Sequence, residues 1–341
     1  MRIRSVLGGA AFSLMIALVM CASTTSGLAQ GGKSNQPSLS PDEQKMIAAI
    51  TAATDPAAKF KAVEALIKKH PKTSARGRLA RDAADQVADL KDAGQKVTLA
   101  QQYAGIFTEP SEQQMIVPVL IDAFGVANRV DEAFSTGAEF LTRNPDSLIV
   151  LVELTSLGTD QAKQKNPKFV PQSLQYGTHA IELIEADKKP DYIDDASWKK
   201  YKSTVLPSVY QAMGVLNLVK GDRDGAKARL AKAAELAPAD PFNYLLLGGV
   251  LNDEYQEVAT RYQSMRGGPA KDEELKKILA FLDQLIDTYA HTIALAEGNE
   301  RLAPVRQQCL QDLEAYYKYR HNNSNAGMQQ LIDKYKVPAK P

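Results

Sequence analysis

Cysteine is almost absent from this chain, which has two cysteines in 341 residues. A disulfide framework is therefore excluded. Histidine is also scarce: the four histidines lie far apart, and none is four residues from another, which excludes a helical metal site of the HExxH kind. Neither sign of charge is in excess, because 41 Lys and Arg residues balance 40 Asp and Glu residues. Such a chain has no global field to attract nucleic acid or an anionic membrane.

Motifs that carry catalysis are missing as well. The sequence contains no Walker loop, no GxSxG elbow and no GxGxxG after a strand. The paired carboxylates Asp194–Asp195 and Glu273–Glu274 fall at predicted helix starts, where the helix dipole favours acidic side chains. We therefore predict a protein that is not an enzyme and that uses no cofactor, no metal and no nucleic acid.

Residues 1–29 have the pattern of a signal peptide. Arginines precede an apolar run, and Gly27 and Ala29 occupy the two positions that a signal peptidase reads. We predict cleavage after Ala29 and export to the periplasm or out of the cell. Cys21 leaves an alternative open, because a bacterial lipoprotein is cut before a lipidated cysteine, although Met20 stands where a small residue is expected. The apolar run is interrupted and short for a ~20-residue span, so we expect no membrane span.

Residues 30–40 are polar and rich in Gly, Ser and Pro, which predicts a flexible linker. After this linker no segment has the pattern of a strand. Apolar residues recur three and four positions apart, and alanine is abundant, so the rest of the chain is predicted to be all-α. Cleavage after Ala29 would leave Cys309 as the lone thiol, which favours a buried, unreactive cysteine.

Prolines punctuate the helical region at regular intervals. Pro71, Pro110, Pro145, Pro190 and Pro238 follow predicted helices at spacings of roughly 35 to 48 residues. A period of this size is typical of a solenoid of helix pairs, in which each pair buries its apolar face against the next.

The stretch "YQAMGVLNLVKGDRDGAKARLAKAAELAPAD" carries the most specific pattern. It consists of two apolar-striped helical runs joined by "GDRDG", in which Gly221 ends the first helix and Asp222 or Asp224 caps the second. Taken as residues 207–240, it resembles a tetratricopeptide repeat, a helix–turn–helix unit of 34 residues. The next unit begins in the same way, and then departs: its two helices are predicted to be longer, over 241–266 and 271–297.

The resemblance implies an α-solenoid of stacked antiparallel helix pairs over residues 41–300. Residues 301–341 are predicted to form a helical C-terminal cap and tail. In such repeats small residues allow two helices to approach, and large residues fill the groove between neighbours. The resemblance assigns this packing role to Tyr210, Gly214, Ala226, Ala233, Pro238, Tyr244 and Gly248.

Tetratricopeptide arrays generally bind a protein or peptide along the concave face lined by the first helix of each pair. The resemblance places on that face Gln211, Val215, Leu218, Leu245, Gly249, Asn252 and Asp253. These residues could equally pack against a neighbouring repeat. Two other classes stay open, an envelope-anchored lipoprotein assembly factor and a solute-binding or enzymatic helical protein.

Overall fold

The computed structural model describes residues 39–336, and within that range 80% of the residues are helical and no strand occurs. The prediction of an all-α protein is confirmed. Short 3-10 turns at Pro167–Phe169 and Glu300–Leu302 precede two of the helices. The α-helices of the described range are α1 Pro41–Ala52, α2 Pro56–Lys69, α3 Arg76–Ala88, α4 Ala93–Ile106, α5 Pro110–Val126, α6 Val130–Arg143, α7 Leu148–Lys163, α8 Val170–Glu185, α9 Asp195–Lys220, α10 Arg223–Leu236, α11 Pro241–Ser264, α12 Pro269–Leu295, α13 Ala303–Arg320 and α14 Met328–Lys334.

Several helices begin at polar capping residues. At the start of α1, the Glu43 amide donates to Ser40 Oγ at 3.2 Å, and the Ser40 amide donates to Glu43 Oε2 at 2.8 Å. This reciprocal capping box satisfies two amides that have no partner inside the helix. Aspartates at positions 55, 92, 194 and 222 cap α2, α4, α9 and α10 in the same sense, each accepting from an amide three residues later.

The turn between α9 and α10 matches its prediction. Gly221 ends α9 with a φ of 89°, in the left-handed region that glycine tolerates without strain. Asp222 then caps α10, since its Oδ1 accepts from the Gly225 amide at 2.9 Å. The chain therefore reverses direction over two residues, and α10 packs against α9.

The described chain forms two compact units, residues 39–157 and residues 158–336. In the first unit α1 packs on α2, and α5 packs on α3, α4 and α6. Its core includes an aromatic group in which Tyr103 meets Phe60 edge-on at 5.3 Å and stacks on Phe107 at 6.0 Å. Burial and the packing of these rings stabilise the unit.

In the second unit each helix packs on its neighbour in sequence, from α8 to α13, and α14 returns to pack on α12. The most extensive contacts in this unit are those within α9–α10 and within α11–α12. These are the two helix pairs that the sequence pattern predicts for residues 207–297. Both α11 and α12 are long, as predicted, and α13 and α14 occupy the region predicted as the C-terminal cap.

One boundary differs from the prediction. The sequence pattern starts the repeat at Pro207, but Pro207 lies inside α9, which starts at Asp195. A proline in a helix interior removes one backbone hydrogen bond. Helix α9 begins twelve residues before Pro207 because the residues at its start are held in place. Asp194 caps the helix, and the buried Trp198 donates its indole N–H to Asp187 Oδ1 at 2.7 Å.

Candidate partner-binding surface

Small residues lie where α9 meets α10. A Cβ atom added to Gly214 would lie 2.6 Å from Leu230 Cγ, far inside van der Waals contact. Ala226 and Ala233 on α10 are both 0% exposed. Tyr210 is also buried, and its hydroxyl donates to Glu185 Oε1 at 2.5 Å. Burial, reinforced by Glu185, raises the pKa of Tyr210 to about 12. Pro238, in contrast, is exposed after the end of α10.

The same contact recurs where α11 meets α12. A Cβ atom on Gly248 would lie 2.8 Å from Tyr289 Cε1 and 3.3 Å from Thr288 Cγ2. Tyr244, one turn earlier on α11, is half-buried and stacks face to face on His291 of α12, with ring centroids 4.3 Å apart. In both pairs, therefore, a glycine of the first helix admits a large side chain of the second.

A polar network joins α9 to the start of α11. Gln211 Nε2 donates to Asn243 Oδ1 at 2.7 Å and to Asp240 Oδ2 at 3.1 Å. Asn243, which is buried, donates in turn to the carbonyls of Ala233 at 3.1 Å and Ala237 at 3.3 Å. Carbonyls at the end of a helix lack the amide partners that the helix interior provides. Gln211, predicted to face a partner, is thus engaged within the chain and holds three helices in register.

Three further predicted surface residues have buried side chains. Val215 is 1% exposed, Leu245 is 9% exposed and Asn252 is 2% exposed. Leu245 belongs to the apolar core formed with α12 and α13. Asn252 Oδ1 accepts from the Tyr316 hydroxyl of α13 at 2.5 Å. These three side chains pack inside the protein, so they cannot contact a partner. Other residues must form any binding surface on this side of α9 and α11.

Leu218, Gly249 and Asp253 remain partly accessible. Asp253 lies among charges, since Arg223 pairs with Glu257 and Lys227 pairs with Glu254 at 2.9 Å. Burial raises the pKa of the Asp253 carboxyl above its ordinary value, and Arg223 partly offsets that rise.

Two residues that shape this face carry no signal in the sequence. Tyr316 reaches α11 from 64 positions away along the chain, and Asn243 sits at a helix start that looks ordinary in sequence. Neither contact follows from local periodicity, because both depend on how separate helices are brought together.

The described residues hold no group of three His, Cys, Asp or Glu side chains that could bind a metal ion. No helix in residues 39–336 is both long and apolar enough to cross a membrane. Cys309 is buried, as predicted, and burial together with Asp312 raises the pKa of its thiol to about 12. A thiol with this pKa stays protonated and unreactive near neutral pH.

No protein-family model matches the chain, and no curated protein sequence matches it.

Proposed function

We propose that this chain is an exported, tetratricopeptide-like α-solenoid that binds a protein or peptide partner. The carrying observation is the repeated contact of glycine against a large side chain, Gly214 on Leu230 and then Gly248 on Tyr289. The two glycines stand one 34-residue repeat apart in sequence, as do Tyr210 and Tyr244. A shared period with a shared steric role supports a stack of equivalent helix pairs.

The proposed partner surface lies on α9 and α11, which are neighbours in the fold. The hydrogen bond from Gln211 to Asn243 brings the first helices of two successive pairs together. Such first helices line the binding face in a stack of this kind. On this face Leu218 and Gly249 offer apolar surface, and Asp253 offers a carboxyl. We propose as ligand a helical or extended peptide that combines an apolar side chain with a basic one.

The proposal of export rests on the sequence of residues 1–29. Cys21 and Ala29 both lie outside the described residues.

Two alternative functions stay open. A lipid on Cys21 would favour an envelope-anchored assembly factor, and convergent polar groups in a pocket would favour a solute-binding or enzymatic protein.

Affinity capture with matched variants tests the proposal. Full-length protein and two variants are used as bait in a cell-envelope extract. The Leu218→Glu/Asp253→Lys double variant changes the proposed surface, and Ala231→Glu changes an exposed position on α10. A partner retained by the wild type and by Ala231→Glu, and lost by the double variant, is the expected result. Equal capture by all three would reject this surface, provided that circular dichroism shows all three to be folded.

A further inference from the structure

Helix α14 is short and depends on docking. It has seven residues, and helices this short are not stable alone in water. Its Ile332 is 2% exposed within an apolar core supplied mainly by α12 and α13, and Met328, Leu331 and Tyr335 pack against the same core. Whatever weakens this docking therefore unfolds α14 and exposes an apolar groove.

A single histidine sits at the edge of that docking site. His291 of α12 lies between two aromatic rings: Tyr244 of α11 at 4.3 Å and 3° between planes, and Tyr335 beside α14 at 3.4 Å and 23°. Both faces of the imidazole are covered by these rings. Because Tyr335 follows directly after α14, the stack ties that helix to α11 and α12.

A hydrogen bond sets the tautomer of the neutral His291 ring. His291 Nδ1 lies 3.2 Å from the Asp287 carbonyl oxygen, so the Nδ1–H form donates there. A second proton would go to Nε2, which has no acceptor among the described residues. The Tyr335 hydroxyl donates to the Asp287 carboxylate, and Lys334 donates to the Tyr335 hydroxyl at 3.0 Å.

The charged and titratable groups that face His291 are Tyr244 on α11, Asp287 on α12, and Lys334 and Tyr335 at α14. Burial between the rings lowers the pKa of His291, Lys334 adds to that lowering, and the Asp287 carbonyl and carboxylate oppose it. The docked state thus favours the neutral imidazole. Lys336, which pairs with Glu297 and Asp333 at 3.0 Å each, anchors the same segment by ion pairs.

We propose that His291 is a pH-sensitive latch for α14: its protonation undocks Tyr335 and α14 and opens the apolar groove on α12 and α13. Undocking uncovers one face of the imidazolium to water and separates it from Lys334. Because the docked pKa lies below that of a free histidine, the undocked state binds the proton more tightly. Undocking therefore increases as pH falls below about 6.5, by up to about tenfold per pH unit, and levels off below the docked pKa.

Hydrogen exchange of the full-length protein between pH 7.5 and 4.5 tests this proposal, with rates corrected for intrinsic exchange. Amides of residues 328–335 are expected to lose protection as pH falls, while those in the middle of α12 keep it. His291→Phe keeps the stacked ring without the titrating group, and should abolish the pH response.

His321 provides the matched control, because it also stacks on a tyrosine, Tyr317, at 4.1 Å, in the connection between α13 and α14. His321→Phe should leave the response intact. A response that persists in His291→Phe, or that disappears equally in His321→Phe, overturns the proposal. Should His291→Phe fail to fold, an NMR titration of the wild-type His291 ring decides: a pKa below about 6.5 is expected, and one at or above it overturns the latch.

Discussion

Gly214 and Leu230 form a contact that no other residue at position 214 could make, because a Cβ atom there would lie 2.6 Å from Leu230 Cγ and 2.7 Å from Leu230 Cδ2. The contact lies in the seam between α9 and α10. Substitution of Gly214 therefore tests whether the repeat pattern of the sequence places small residues between these two helices.

Gly214→Ala is expected to destabilise the protein by about 1–3 kcal/mol through overpacking, although alanine is the better helix former. Urea unfolding followed by circular dichroism measures the change. Gly267→Ala is the control: a Cβ there meets nothing within 4 Å, and we expect a change within about 0.5 kcal/mol. Equal midpoints for the two variants would contradict the packing described for this seam.

The same substitution, alanine to leucine, can be made at two positions of α10, Ala226 and Ala231. Ala226 is 0% exposed, and Ala231 is exposed. Added carbons at Ala226 should cost about 1–3 kcal/mol, and at Ala231 the change should stay within about 0.5 kcal/mol. Helix propensity cannot account for a difference, since it is the same substitution in both cases. If both variants unfold at the same urea concentration, Ala226 does not face the seam and the register of α10 is wrong.

Much of this second unit can be predicted from its sequence, because its signals are local. "GDRDG" contains a glycine for the left-handed helix end and two aspartates that could cap the next helix, so the turn between α9 and α10 is predicted, and the structure selects Asp222 over Asp224 as the cap. The repeat boundary at Pro207 is not predicted correctly: proline is a typical helix start, but here α9 begins at Asp195, where Asp194 caps it and the buried Trp198 anchors its first turns. The partner face is the least predictable part: Val215, Leu245 and Asn252 have the right spacing, but burial depends on the neighbouring helices.

Arg76 and Glu112 form a largely buried ion pair in the first unit. Glu112 is 3% exposed, and Arg76 Nη2 donates to Glu112 Oε2 at 2.8 Å and to the Ile106 carbonyl at 3.0 Å. Arg76→Met leaves a buried carboxylate without its partner, which should cost about 3–5 kcal/mol.

The exposed pair Arg143–Glu139 provides the control for this prediction, since both side chains are largely exposed, at 73% and 77%. Arg143→Met should change the free energy of unfolding by no more than about 0.5 kcal/mol. Thermal unfolding of both variants at the same ionic strength makes the comparison. A loss of similar size in both would show that burial does not govern the Arg76–Glu112 pair.

Cys309 should be unreactive in the folded protein. Its pKa of about 12 leaves almost no thiolate at mildly alkaline pH, and the residue is 3% exposed. A thiol reagent should label Cys309 only after unfolding in urea, with peptide mass spectrometry to assign the label. Rapid labelling under native conditions would contradict the burial of this thiol.

The mature N-terminus is expected at Gln30. Mass spectrometry of the exported protein should find the chain cut after Ala29, with no lipid. A diacylglycerol-modified Cys21 at the N-terminus would instead place the protein on the envelope, as the alternative requires.

Each long helix of the second unit packs on at least two others: α9 on α8 and α10, α11 on α10 and α12, and α12 on α11, α13 and α14. When a force stretches the chain, the unfolding of one helix removes packing contacts from the neighbouring helix, which is under the same force. We therefore expect mechanical extension to unfold the helices in groups and not one at a time. Helix α9, about 39 Å long for its 26 residues, should take part in two successive unfolding steps, because it packs on a helix on each side.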